Sequence, residues 1–286
     1  MRLFRFRVWP ILFDMNAVAR SWRAALTCLA LVGSLTTGAF AASEPVDVEL
    51  VLAVDVSSSM NEEELRLQRE GYAAAFRSKD VIEAITGGLH RKVAITYVEW
   101  GGEASQYVIV PWTVIGSADD AYRVSDRLLA AEIGKSRYLT SIAGAIRYGQ
   151  RAIRNNRFSS GRRVIDISGD GPNNQGGLVT RARDAAVADG VTINGLPLMV
   201  PGNVLNGNTP SLDTYYVDCV IGGSQSFLLP VRSWDQFPDA VRRKLVLELA
   251  SGRGMDVVPA APAVRLWRVS ANGTDCSIGE KLWRGW

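Results

Sequence analysis

Five oxygen-bearing side chains, spread over three stretches, are the residues of this sequence best suited to chemistry. Asp55, Ser57 and Ser59 alternate in Asp55-Val56-Ser57-Ser58-Ser59. Thr140 sits in Tyr138-Leu139-Thr140-Ser141-Ile142, and Asp170 in Ile167-Ser168-Gly169-Asp170-Gly171. Positions i, i+2 and i+4 of an extended backbone line one face, so the first three oxygens are expected to converge. Carboxylates and hydroxyls are hard donors, and neither Cys nor His joins the set. Such a set suits Mg²⁺, or Mn²⁺ or Ca²⁺, and disfavours zinc. Each stretch alone has an ordinary explanation: a serine run capping a helix, a threonine N-cap, an Asp-Gly turn. Together they carry meaning only if the fold gathers them.

The patterning supplies such a fold. Residues 46–56 are nearly continuous β-branched and apolar, as in a strand buried on both faces. Residues 61–76 follow with helical spacing (Leu65, Tyr72, Ala73, Phe76), opened by Asn61 with Glu64 three residues on, a capping-box variant. Strands are expected at 92–100 and 106–114, read as a hairpin around Gly101-Gly102, and at 163–168 and 192–199. Helices are expected at 118–131, 141–155, 180–189 and 234–250, with 201–214 a loop and 227–229 a short last strand. Strands alternating with helices predict an α/β fold of Rossmann type: a central, mostly parallel sheet with one antiparallel edge strand and helices on both faces. Open α/β sheets bind ligands at the carboxyl ends of their strands, which is where the three stretches fall.

The order Asp-x-Ser-x-Ser, then Thr, then Asp-Gly resembles the metal-ion-dependent adhesion site of von Willebrand factor A and integrin I domains, over about residues 46–250. Asp55, Ser57 and Ser59 match the first motif, Thr140 the second and Asp170 the third. The resemblance implies that the Ser and Thr hydroxyls contact the ion directly and that the two aspartates act through water. Many relatives carry glycine just before the threonine, where this chain has Tyr138-Leu139. The stretches Tyr97-Val98-Glu99-Trp100 and Ser168-Gly169-Asp170-Gly171-Pro172-Asn173-Asn174 are similar to a family of secreted bacterial proteins known as a domain of unknown function.

The chain has 286 residues, 47% of them hydrophobic, enough for one large core and a small appendage. Residues 1–41 read as an export signal: Arg2, Arg5, Arg7, Arg20 and Arg23 lie in its basic start, an apolar stretch follows, and Ala39-Phe40-Ala41 suits cleavage. Without those five arginines and Asp14, 27 basic side chains face 28 acidic ones. A neutral mature chain argues against a nucleic-acid binder, and no stable membrane span is expected after cleavage. Residues 42–251 form the expected domain and 252–286 an extension packed on it, its tryptophans read as packing. In a periplasmic or secreted setting, Cys219 and Cys276 are expected to pair, closing a loop worth on the order of 4 kcal/mol; two buried thiols are the alternative.

The expected function is a non-enzymatic binding module that captures a carboxylate of a protein partner at the metal. A metal-assisted hydrolase using Asp55 or Asp170, and a structural scaffold, are the alternatives. His90, the one histidine, lies before a strand and reads as a solvated turn residue at the opposite rim.

Overall fold

The structure, a computed structural model, describes residues 43–133, 138–200, 210–250 and 273–284. The expected export signal lies outside the described residues. At the centre is a five-stranded sheet, made of β2 (Glu49–Asp55), β3 (Val93–Trp100), β4 (Gln106–Ile115), β6 (Arg163–Gly169) and β7 (Val191–Pro197), in the order β4-β3-β2-β6-β7. Only β3 and β4 pair antiparallel. Outside it, β1 (Glu44–Pro45) pairs with β5 (Phe158–Ser159). Every residue of β2 is buried, because this central strand has a strand on each side and helices over each face. Its alternation splits the core in two. Leu50, Leu52 and Val54 pack with Tyr72, Phe76, Phe237 and Leu245, while Val51 and Ala53 pack with Ile142, Ile146, Tyr215 and Cys219.

On the first face lie α1 (Glu62–Arg77), α2 (Lys79–Thr86), α3 (Ala118–Ala130) and α7 (Phe237–Leu249); on the second, α4 (Ile142–Arg154), α5 (Val179–Ala188) and α6 (Leu212–Tyr215). The capping box of α1 is complete: the Asn61 side chain accepts from Glu64 N (3.0 Å) and Glu64 Oε2 accepts from Asn61 N (2.9 Å). A π-helical turn, Tyr216–Val220, continues α6, and α8 (Ile278–Arg284) lies in the C-terminal extension. Among the described residues no helix is long and apolar enough to cross a membrane.

Several expectations need correction. Helix α2 was not anticipated because its only break from α1 is Ser78, which caps both helices: its hydroxyl donates to Ala75 O and accepts from Val81 N. Part of the expected 201–214 loop is the start of α6. Residues 227–229 form no regular strand. They run beside β7 through isolated bridges at Leu228 and Val231: Leu229 N–H bonds Gly195 O and Val231 N–H bonds Pro197 O, but Pro197 has no N–H to donate to Leu229 O and join them into a ladder. Trp283, expected to pack, is 62% exposed.

One polar cluster crosses the core. Asp166 on β6 and Lys244 and Glu248 on α7 are each no more than 1% exposed. The Lys244 ammonium sits 2.7 Å from Asp166 Oδ1, also pairs with Glu248, and lies 4.9 Å from the Phe227 ring centre. Glu248 accepts from Asn194 Nδ2 at 3.1 Å. Here two carboxylates share one cation. Burial, reinforced by the Glu248 charge and opposed by Lys244, lifts the Asp166 carboxyl to about 7. The fold therefore holds this proton more tightly than the unfolded chain does. The stabilisation is complete below the ordinary carboxylate range and is lost as pH climbs to about 7. In denaturant unfolding between pH 4 and 8, wild type should lose stability relative to Asp166→Asn by on the order of a few kcal/mol. Parallel pH curves for the two proteins would contradict this assignment.

Candidate metal centre

The site begins where β2 ends. Only Asp55 of the first motif is within the strand. Ser57 N–H donates back to Asp55 Oδ1 at 2.7 Å, and Met60 N–H donates to Ser57 O at 3.1 Å. The chain therefore bends at once, and the serines converge through a side-chain-closed turn. The extended face expected from the spacing is corrected: an Asx-type bond competes with strand propagation as soon as the ladder stops. Gln68 of α1 pins the turn by donating to Asp55 O at 3.0 Å.

Three of the five residues then form a chain of oxygens. Ser57 Oγ lies 3.1 Å from Ser59 Oγ, and Ser59 Oγ donates to Asp170 Oδ1 at 2.8 Å. The register of neighbouring strands makes this inevitable: Val54 on β2 pairs with Ser168 on β6, so Asp55 and Asp170 leave the sheet at the same rim. Gly169 is needed between them, since a Cβ there would come within 2.9 Å of both Asp55 Oδ2 and the Tyr216 hydroxyl.

Thr140 reaches the rim by a different route. Its N–H donates to Asn174 Oδ1 and its carbonyl accepts from Asn174 N–H, both at 2.8 Å. Asn174 is four residues beyond Asp170, so this double bond fastens the second motif to the third. The cap of α4 is Ser141, whose hydroxyl accepts from Gly144 N–H at 3.0 Å. Helix capping thus does not engage the Thr140 hydroxyl. Asn173, fully buried, accepts from Ala143 N–H at 2.9 Å. The two asparagines are the clasp between loops. Upstream, Arg69 of α1 pairs with Glu99 (2.5 Å) and donates to the carbonyls of Ala131 and Glu132, holding the start of the segment that leads to Thr140. Leu139 takes φ +72°, the left-handed conformation that glycine adopts at no steric cost. Leu139 carries strain there on the order of 1 kcal/mol.

Asp55 and Asp170 are 0% and 3% exposed. Burial, and next the neighbouring Asp170 charge, push the Asp55 carboxyl well above the usual range, against the Ser57 N–H that favours its ionised form. Burial lifts Asp170 to about 6, with the Ser59 hydroxyl opposing. Asp55 Oδ2 is buried and accepts no hydrogen bond. A cation would reverse each of these costs. The spacing of the two serine hydroxyls fits one: adjacent ligands of an octahedral Mg²⁺ with bonds near 2.0–2.1 Å stand about 2.9 Å apart, against 3.1 Å here. Among the described residues no group of three or more His, Cys, Asp or Glu could hold a metal, so a metal here depends on hydroxyls. His90 is exposed, before β3 and away from this rim, its N–H bonded to Asp47. Cys219 and Cys276 form a disulfide with Cα atoms 5.5 Å apart.

No curated protein matches this chain. Among solved structures, it is similar to proximal thread matrix protein 1 from the mussel byssus, solved with a zinc-occupied MIDAS motif: 15% identity, TM-score 0.51, covering 73% of this chain and 49% of that one. The pilus adhesin SpaC from Lactobacillus rhamnosus GG gives 12% identity and TM-score 0.52, covering 71% of this chain and 31% of the adhesin. A von Willebrand factor type A protein from Catenulispora acidiphila gives 14% and 0.48, covering 72% and 43%. This chain thus spans about half the length of the mussel protein, and identities this low speak to the fold. The sheet order, the flanking helices and the rim place the chain among von Willebrand factor A folds. The family described as "Protein of unknown function (DUF1194)" matches residues 45–253, and this chain belongs to it.

Proposed function

We propose that this protein is an exported binding module, periplasmic or secreted, that holds one divalent cation at the rim and captures a carboxylate of a protein partner on it. By likeness to the family's site, the Ser57, Ser59 and Thr140 hydroxyls would contact the ion, with Asp55 and Asp170 acting through water. Three neutral first ligands leave the ion most of its charge, so an incoming carboxylate is an attractive further ligand. Mg²⁺ is the proposed ion, with Mn²⁺ or Ca²⁺ as substitutes. The observation that carries this reading is the Ser57–Ser59 hydroxyl pair at octahedral-edge spacing beside two buried carboxylates, one of which accepts from Ser59.

Binding is favoured over metal-assisted hydrolysis by Asp55 or Asp170 because the one histidine, His90, lies before β3 and away from the rim, and the further acid that acts on Asp170, Glu64, is held in the cap of α1 and by Trp234 Nε1. The scaffold alternative shares the ion but needs no visitor.

Calorimetric titration of the mature chain with Mg²⁺, Mn²⁺, Ca²⁺ and Zn²⁺ checks the ion. Ser57→Ala and Thr140→Ala should each weaken binding about tenfold or more, with circular dichroism unchanged. Affinities equal to wild type in both variants would remove the site. Saturating Mg²⁺, at a hundred times its dissociation constant, should raise unfolding stability by about 2.7 kcal/mol, and EDTA should abolish the gain. Affinity capture from exported-protein extracts should retain a partner in Mg²⁺ and release it in EDTA; identical retention in both would end the capture reading.

A further inference from the structure

Asn173 is the junction through which the C-terminal extension meets the candidate metal site. Its side-chain oxygen accepts from Ala143 N–H, in the first turn of the helix that follows Thr140. Its side-chain nitrogen donates to Gly177 O at 3.0 Å and to Glu280 Oε1 of α8 at 2.7 Å. Its main-chain N–H donates to the Tyr215 hydroxyl at 3.2 Å. The backbone of α8 lies directly on this loop: a Cβ on Gly279 would fall 2.1 Å from Asn173 O.

Both gripping elements are joined by one covalent bond. Cys276 precedes α8 by two residues, and Cys219 lies in the π-helical turn that follows Tyr215. Helix α8 has seven residues, too few to be stable alone, and its apolar contact with the core is limited to Ile278 and the half-buried Leu282. Its place therefore depends on the bridge. Thr274, hydrogen-bonded to Asp218, lies between the same two elements and adds one polar tie.

We propose that the Cys219–Cys276 bridge sets the cation affinity of the site by holding α8, and so Glu280, against Asn173. When the bridge opens, Asn173 loses a charged acceptor inside the protein. A buried amide left short of a partner is costly and reorients. Ala143 N–H then loses its acceptor, and the Thr140 segment uncouples from the Asp170 loop. A dithiol reductant accomplishes this with the electrons balanced: its two sulfurs close into a cyclic disulfide while the protein S–S bond breaks and both cysteines gain a hydrogen. Asn173 and Glu280 are positioning residues, acting on the ligands without touching the ion. The proposal rests on the cation reading given above.

The test compares the oxidised mature chain, the dithiol-reduced chain, the Cys219→Ser/Cys276→Ser double variant, Glu280→Leu and Glu280→Gln. Each is titrated with Mn²⁺ and followed by amide hydrogen exchange without metal. Opening the bridge should weaken Mn²⁺ binding about tenfold, as loss of outer-shell support does, and speed exchange at Ala143 and Asn173. Glu280→Leu, with the bridge intact, should move both in the same direction. Glu280→Gln, which keeps the acceptor oxygen, should restore wild-type values. If the oxidised chain binds Mn²⁺ and bridge opening and Glu280→Leu leave affinity or exchange unaltered, this proposal fails alone. If the oxidised wild-type chain takes up no Mn²⁺, the cation reading fails and takes this proposal with it.

Discussion

Two carboxylates delivered to one buried rim by neighbouring parallel strands are the constraint around which this structure is arranged. Asp55 ends β2, and Asp170 follows the end of β6. Their strands are paired in register, so their separation is set by the sheet. Burial raises both carboxyl groups, and at Asp55 the second charge adds to it. Like charges buried together are among the most expensive arrangements a fold can hold, and a site that does so is a candidate for function on that ground alone. The turn after β2 answers part of the cost with N–H and O–H donors: Ser57 N–H to Asp55 and the Ser59 hydroxyl to Asp170. A hard cation would answer the rest.

The same logic, met differently, appears in the core. Asp166 and Glu248 also share a buried space, but there the cation is Lys244, supplied by the chain itself. The helix that carries Lys244 covers the first face of the sheet, so the pair is sealed. At the rim, Ser59 stays exposed while Asp55 and Ser57 are buried. One acidic pair is thus enclosed with its countercharge, and the other reaches the surface through a serine.

Around the rim, strain and clasping go together. Leu139 in a left-handed conformation persists because both ends of its loop are fixed, by Arg69 at Ala131 and Glu132 and by Asn174 at Thr140. Backbone strain survives only where the surroundings over-determine it. The asparagine pair, the π-helical turn and the disulfide-linked α8 form one continuous support beneath the Asp170 loop. None of these contacts is periodic or local, which is why no pattern in the sequence announces them.

The sequence by itself determined the five strands of the central sheet and most of the helices beside them, because burial on both faces writes an unbroken apolar run in β2 and amphipathic spacing in α1. It also named the five oxygen-bearing residues, since their types and order along the chain carry the motif. Tertiary structure decided the rest. Whether Asn173 and Asn174 are turn formers or a clasp depends on which loops lie beside them, and that depends on strand register. The break at Ser78 and the irregular edge at Pro197 were invisible to periodicity because one residue sufficed to make each. The convergence of Ser57 and Ser59 came from a turn closed by Asp55, an interaction of a side chain with its own backbone that spacing alone does not distinguish from a continuing strand.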